Sequence, residues 1–280
     1  MRDAADRAAD LAFFTGVARA LGGAVLFSLP LLMTMEMWWL GFYMSRAHLV
    51  LFMLLMVPLL VALDYYSGFE ETRSWREDCM DGMIAYGVGL VASAAILLLF
   101  GVIDSTQPLR EIVGKVAIQA VPASFGAVLA NSQLAGDAGA EGGQKRRKEE
   151  AGYGGQLLFL TAGAVFLAFN VAPTEEMILI SFVMTPWHAL ALVAVSLPLT
   201  HGFVYASGFR GTPSAPEGTP AWSLFLRYTV VGYAVALLVS AYVLWTFGRF
   251  DGAPLVACLE MTLVLAFPAS LGAAAARLIL

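Results

Sequence analysis

FSLPLLMTMEMWWLGFYMSRAHLVLFMLLMVPLLVALDYYSGF, residues 27–69, and LAFNVAPTEEMILISFVMTPWHALALVAVSLPLTHGFVYASGF, residues 167–209, align without a gap at a constant offset of 140 residues. Thr34, Glu36, Met37, Phe42, Met44, His48, Pro58, Leu59, Tyr65, Ser67, Gly68 and Phe69 each meet an identical residue, 12 matches in 43 positions. Apolar composition alone returns matches among Leu, Ala and Val. This set keeps a Thr-x-Glu-Met, a His and a Tyr-x-Ser-Gly-Phe, so common ancestry of the two halves is the better explanation. The correspondence resumes further on, where Phe100-Gly101 and Asp104 pair with Phe247-Gly248 and Asp251. Pro122-Ala123-Ser124-Phe125-Gly126-Ala127 likewise pairs with Pro268-Ala269-Ser270-Leu271-Gly272-Ala273. The chain therefore reads as two copies of one unit.

With 59% hydrophobic and 13% charged residues, the chain belongs to the polytopic membrane class. Eight runs are long and apolar enough to span: about Leu21 to Tyr43, His48 to Tyr66, Met83 to Ile103, Ile112 to Leu134, Gln156 to Met184, Trp187 to Ser207, Leu224 to Phe247 and Pro254 to Leu280. The expected fold is all-α, a polytopic membrane protein whose eight transmembrane helices form two parallel four-helix repeats. The N-terminal repeat covers 1–134, a basic linker 135–155 and the C-terminal repeat 156–280. An even number of spans per copy gives both halves one orientation, related by an axis along the membrane normal.

Twelve of the 16 basic residues fall on one side of these spans, Lys145-Arg146-Arg147-Lys148 of the linker among them. That bias puts both termini in the cytoplasm of a bacterial inner membrane. The stretch Met1 to Arg19 lacks the order of a cleaved signal and reads as an amphipathic lead-in. The net charge of -5 gives no footprint for nucleic acid. The bilayer is the expected partner, and a homodimer is expected only from the general habit of such proteins. Cys79 and Cys258 show no spacing that suggests a disulfide or structural zinc, and no cofactor is implied.

The first span of each copy carries the candidate chemistry. Gln156 to Met184 is 29 residues, about 43 Å as a straight helix against about 30 Å of hydrocarbon. Asn170-Val171-Ala172-Pro173-Thr174-Glu175-Glu176 reads as a helix end, a break and a new start, with Thr174 free to cap the next helix. Pro30 precedes Thr34 in the first copy. Broken helices free backbone carbonyls that transporters use to coordinate ions, which places Thr34, Glu36, Thr174, Glu175 and Glu176 at a candidate ion site. His48 and His188 begin the following spans at a similar level, and Glu260 adds an acid in the last span. Carboxylate with imidazole suits zinc, manganese or iron. Carboxylates with carbonyls suit calcium, sodium or protons, and the residues do not choose between these.

The alternative reading is a helix starting at the membrane interface, with acids favoured at its positive end and nothing bound. Recurrence of an intramembrane acid in both copies favours function. For Pro122, Gly126, Pro268 and Gly272, a kink in a run of small residues, packing of the two halves is the first reading and gating the second. Asp64 and His201, without repeat counterparts, read as an inner gate or as interfacial groups.

Length, eight spans and the stretches Ala172-Pro173-Thr174-Glu175-Glu176-Met177 and Gly68-Phe69-Glu70-Glu71 resemble a bacterial family of integral membrane proteins of unknown function. That resemblance implies a membrane fold and transfers no activity. The leading expectation is a secondary cation transporter, proton-coupled, working on an inorganic cation or proton at broken helices between the repeats. A cation channel is the neighbouring reading. A membrane-embedded enzyme acting on a lipid or prenyl substrate is the rival, and a non-catalytic assembly protein the third. Near-symmetrical duplication favours a pathway over an asymmetric reaction centre.

Overall fold

The computed structural model describes residues 2–67, 75–134, 152–205 and 220–279. The basic run of the linker and the Gly68-Phe69 and Ser207-Gly208-Phe209 ends of the repeated motif lie outside the described residues. Among those described, the chain is helical without strands. It divides into two compact units, Met1–Glu150 and Ala151–Leu280.

The N-terminal unit contains α1 (Arg2–Leu32), α2 (Met35–Tyr43), α3 (Arg46–Ser67), α4 (Trp75–Leu99) and α5 (Leu109–Leu134). The C-terminal unit contains α6 (Tyr153–Val171), α7 (Glu175–Val183), α8 (Pro186–Tyr205), α9 (Ala221–Leu224), α10 (Val231–Thr246) and α11 (Leu255–Ile279). A π-helical stretch, Phe225–Val230, joins α9 to α10. Eight helical stretches are long and apolar enough to cross a membrane. Both helix breaks fall where an unbroken span-length helix ends, at Leu32 and at Val171. The sequence places the first span at Leu21 to Tyr43. The structure makes one helix of Arg2–Leu32, whose span-length stretch is Phe14–Leu32, and starts afresh at Met35. Gly22-Gly23 does not interrupt α1, because Gly23 is the residue α5 packs against.

Each unit is built on its last helix. In the first, α5 touches α1, α2, α3 and α4; in the second, α11 touches α6, α7, α8 and α10. A helix surrounded in this way needs close approaches, since lipid gives no hydrophobic drive for helix association and van der Waals packing must supply it. Gly23 of α1 lies against the Gly126 carbonyl and Ala130 of α5, and a Cβ at Gly126 would run into Gly23 and Phe27. In the C-terminal unit Gly163 of α6 meets Gly272 and Ala276 of α11, and a Cβ at Gly272 would run into Gly163 and Leu167. The Pro-Ala-Ser-x-Gly-Ala runs make these contacts within their own units. Ser124 meets Gly89 of α4, and the Ser270 hydroxyl lies 3.3 Å from that of Thr200 on α8. The reason is local: the small residues sit on the helix that every neighbour must approach.

Polar side chains inside the spans are mostly turned onto their own backbone. Ser28, Ser124, Ser196 and Thr200 donate to the carbonyls of Ala24, Ala120, Leu192 and Ser196, at 2.5 to 2.6 Å. That satisfies a hydroxyl where water is absent.

Helices α4 and α10 end alike. Gly101 and Gly248 are left-handed, at φ 69° and 71°. Their amides bond Leu98 and Trp245, and the next amides reach back to Leu97 and Leu244. This is the six-to-one and five-to-two closure that a glycine permits without a Cβ penalty. After Gly101 the exposed Asp104 accepts from the Thr106 hydroxyl at 2.5 Å and the Thr106 amide at 2.7 Å. Those bonds, the hydroxyl first, hold its carboxyl below the usual range.

The crossings predict a sharp contrast among glycines. Gly163→Val and Gly126→Val should lower stability in detergent by about 1–3 kcal/mol through overpacking. Gly87→Ala, on α4 where an added Cβ meets nothing within 4 Å, should be neutral or stabilising. Thermal unfolding of the purified proteins checks this, and equal losses in all three would remove the crossings from the account.

Candidate functional site

A helix end inside a bilayer must dispose of its last four carbonyls. At the end of α1 the Leu29 carbonyl accepts the Met33 amide at 3.1 Å and the Pro30 carbonyl accepts the Thr34 hydroxyl at 2.6 Å. Leu31 accepts the Thr34 amide at 3.1 Å and the Gln119 side-chain amide at 3.0 Å. Leu32 accepts the Trp38 indole at 2.8 Å. Every carbonyl of the last turn therefore has a protein donor.

Around the α6 end, Thr174 gives both its amide (3.0 Å) and its hydroxyl (2.7 Å) to Val171. The Arg249 guanidinium, just past the α10 cap, donates to the Pro173 carbonyl. Neither Thr34 nor Thr174 caps the helix that follows it. Each hydroxyl is needed by the carbonyls behind it, so the capping expected from the sequence gives way to back-bonding.

The new helices begin with acids in their first turns, Glu36 in α2 and Glu175 and Glu176 in α7, where the positive end of the helix favours them. Glu36 is half-buried, while Glu175 and Glu176 are exposed. In the C-terminal unit the structure gathers several predicted residues around one open cavity of about 570 Å³. Thr174, Glu176 and His188 provide its polar groups, and Val171, Met177, Ile180, Met184, Ala191, Leu192, Val195, Val264, Phe267 and Pro268 form its wall. Pro268 thus stands where the hub helix faces the cavity, and Gly272 lies further along α11 at the α6 crossing.

Two of the three polar groups are committed to local structure. The Thr174 hydroxyl serves Val171. His188, third residue of α8, turns its Nδ1 back to the Thr185 amide (3.2 Å) and lies 2.8 Å from the Thr185 hydroxyl. That is the reach of a capping box, with imidazole in the role usual for Glu or Gln. An Nδ1 that accepts an N–H leaves the ring proton on Nε2. Glu176 is the cavity's uncommitted charge among the described residues.

Thr34, Glu36 and half-buried His48 occupy the matching sequence positions of the N-terminal unit, where Pro122 and Gly126 are buried in the hub helix. Glu260 is half-buried on α11 and is not part of the cavity lining. Among the described residues no group of three or more His, Cys, Asp or Glu side chains is placed to hold a metal ion. His201 bonds the Thr229 hydroxyl of the π-helical stretch at 2.8 Å and packs against Phe225 and Tyr205.

Sequence reasoning passed over Gln119, Trp38 and Arg249, the donors that close the helix ends. A signal existed for one of them. Glu111, Lys115 and Gln119 recur every four residues in an otherwise apolar span, a polar stripe on one face of α5. Lys115 pairs with Glu111 at 2.6 Å and donates to the Gln107 side chain and the Val102 carbonyl at 3.2 and 3.3 Å. Arg249 has no such pattern, since its partner is 76 residues away.

Gln119→Leu should cost about 0.5–1.5 kcal/mol, the worth of one lost bond, since the Leu31 carbonyl keeps the Thr34 amide, and Arg249→Met about 1–3 kcal/mol by stranding the Pro173 carbonyl. Amide hydrogen exchange should rise at Met33–Thr34 in the first variant and around Thr174 in the second. Unchanged exchange at both breaks would show that other contacts hold them.

No curated protein and no solved structure is similar enough to this chain to match it. Eight span-length helices, and a match over residues 16–280, lead to one conclusion: the chain belongs to the family described as "Putative integral membrane protein (DUF2391)".

Proposed function

We propose that this integral membrane protein is a proton-coupled secondary transporter of cations that carry an apolar body. Glu176 in the C-terminal unit and Glu36 at the matching place in the N-terminal unit are its charge-recognising groups. The reading rests on one observation, a cavity whose single uncommitted charge is a carboxylate and whose wall is apolar. Its volume falls in the range of small-molecule sites. A bare inorganic ion needs several oxygen ligands to replace its water, and the carbonyls at the end of α1 already have protein donors. A cation with an apolar body asks for less: one opposite charge, and a surface such as Met177, Met184 and Phe267 against which to desolvate, methionine adapting readily to shape.

In this reading the two halves are copies of one unit, in line with their shared motifs and with the glycine crossing that recurs in each. Both termini face the cytoplasm of a bacterial inner membrane, by the charge bias of the connecting segments. Pro268, in the cavity wall on the hub helix, sits where a change in kink would reshape the pocket.

Purified protein in sealed proteoliposomes should accumulate quaternary ammonium or tetraphenylphosphonium ions in response to an imposed proton gradient. Glu176→Gln should cut uptake by about tenfold or more, the worth of a charge-assisted contact. Ala191→Phe, which fills the cavity and leaves the carboxylate, should do the same. A folded wild type that takes up none of these cations ends the reading. Gradient-independent leak would make it a channel, and lipid retained in the cavity with no flux would favour the enzyme.

A further inference from the structure

A second ionisable site lies in the N-terminal unit, away from the helix breaks. Asp64, near the end of α3, is 3% exposed, and both of its carboxylate oxygens are buried without a hydrogen-bond partner among the described residues. Val61 of α3 and Gly82 of α4 touch so closely that a Cβ on the glycine would meet the Val61 side chain at 2.8 Å and its Cα at 3.2 Å. Asp64 is one turn beyond that crossing on α3. On the antiparallel α4 the residues on that side of Gly82 are Asp81 and Asp78. Both act on Asp64 through space, Asp81 the more strongly, and Asp78 is itself 3% exposed. Tyr86, one turn the other way, buries a partnerless hydroxyl. From α5, which also packs on α3, the half from Val121 to Ala130 brings no ionisable residue.

Among the described residues a carboxylate in this position has neither a donor nor a cation, and it has two acids beside it. Burying an unpaired charge costs several kcal/mol at least, and neighbouring like charges add to that. Taking a proton from water removes both costs at once.

We propose that Asp64 holds a proton at neutral pH and, with Asp81 and Asp78, forms a proton-exchange site at the α3–α4 end of the N-terminal unit. The close helix contact keeps the three acids together, and burial keeps the proton on the one of them that has no other partner. The proposal concerns protonation alone and does not rest on the transport reading, although a transporter driven by protons needs such a group.

The test is infrared spectroscopy of the full chain in lipid at neutral pH. Wild-type protein should show a protonated-carboxyl stretch, sensitive to deuterium exchange, that Asp64→Asn removes and Glu36→Gln leaves in place. Asn copies the shape of the neutral acid, so the variant should melt within a few degrees of wild type. A wild-type spectrum with no band removed by Asp64→Asn overturns the proposal. If that variant does not yield folded protein, Asp81→Asn decides: the pH at which the Asp64 band appears should then differ from wild type. An unchanged titration overturns the proposal. No flux is read here, so loss of uptake elsewhere and loss of this band remain separate results.

Discussion

Inside a bilayer a backbone carbonyl released by a helix end has no water to turn to, and the first unit is arranged around that fact. Helix α1 stops at Leu32 and the chain starts afresh at Met35. Stopping leaves carbonyls that only protein donors can satisfy. The Met33 and Thr34 amides, the Thr34 hydroxyl, Gln119 and Trp38 do so at the end of α1, and Thr174 and Arg249 serve the region between α6 and α7. Gln119 is fully buried and comes from the hub helix, so the register of α5 against α1 is tied to the position of the break. Moving either would take from the buried Gln119 amide its acceptor, while the Leu31 carbonyl would keep the Thr34 amide.

The glycine crossings are the other side of the same constraint. Gln119 reaches Leu31 only because α1 and α5 run close together, and they run close because Gly23 and Gly126 carry no side chains at their contact. Small residues at the crossing and a long polar donor further along form one device. The C-terminal unit has the crossing, at Gly163 and Gly272, but its donor comes from a loop, as Arg249 to Pro173. Leu265 stands on α11 where the Pro-Ala-Ser alignment would put the equivalent of Gln119. The hub helix there is free of a buried amide and lines a cavity instead, through Val264, Phe267 and Pro268.

That difference bears on chemistry. A break whose carbonyls are taken makes a poor cage for a bare ion, and the acids that follow it belong to short helices beyond the span-length segments. What the geometry leaves available is a carboxylate at the edge of an apolar hollow in one unit, and a partnerless buried acid in the other. The first is suited to recognising a charged molecule with an apolar body, the second to holding a proton.

The sequence by itself determined the all-helical membrane class, the count of eight spans and the location of both breaks, because apolar run length and proline position act locally. It also singled out Thr174, Glu176 and His188, which the structure places around one cavity. Tertiary structure alone decided that Arg249 reaches the Pro173 carbonyl and that Asp64 lies buried with no partner among the described residues. Each of these depends on which group from a distant segment, if any, arrives within hydrogen-bond reach. No local pattern encodes that, because it follows from how closely the helices cross.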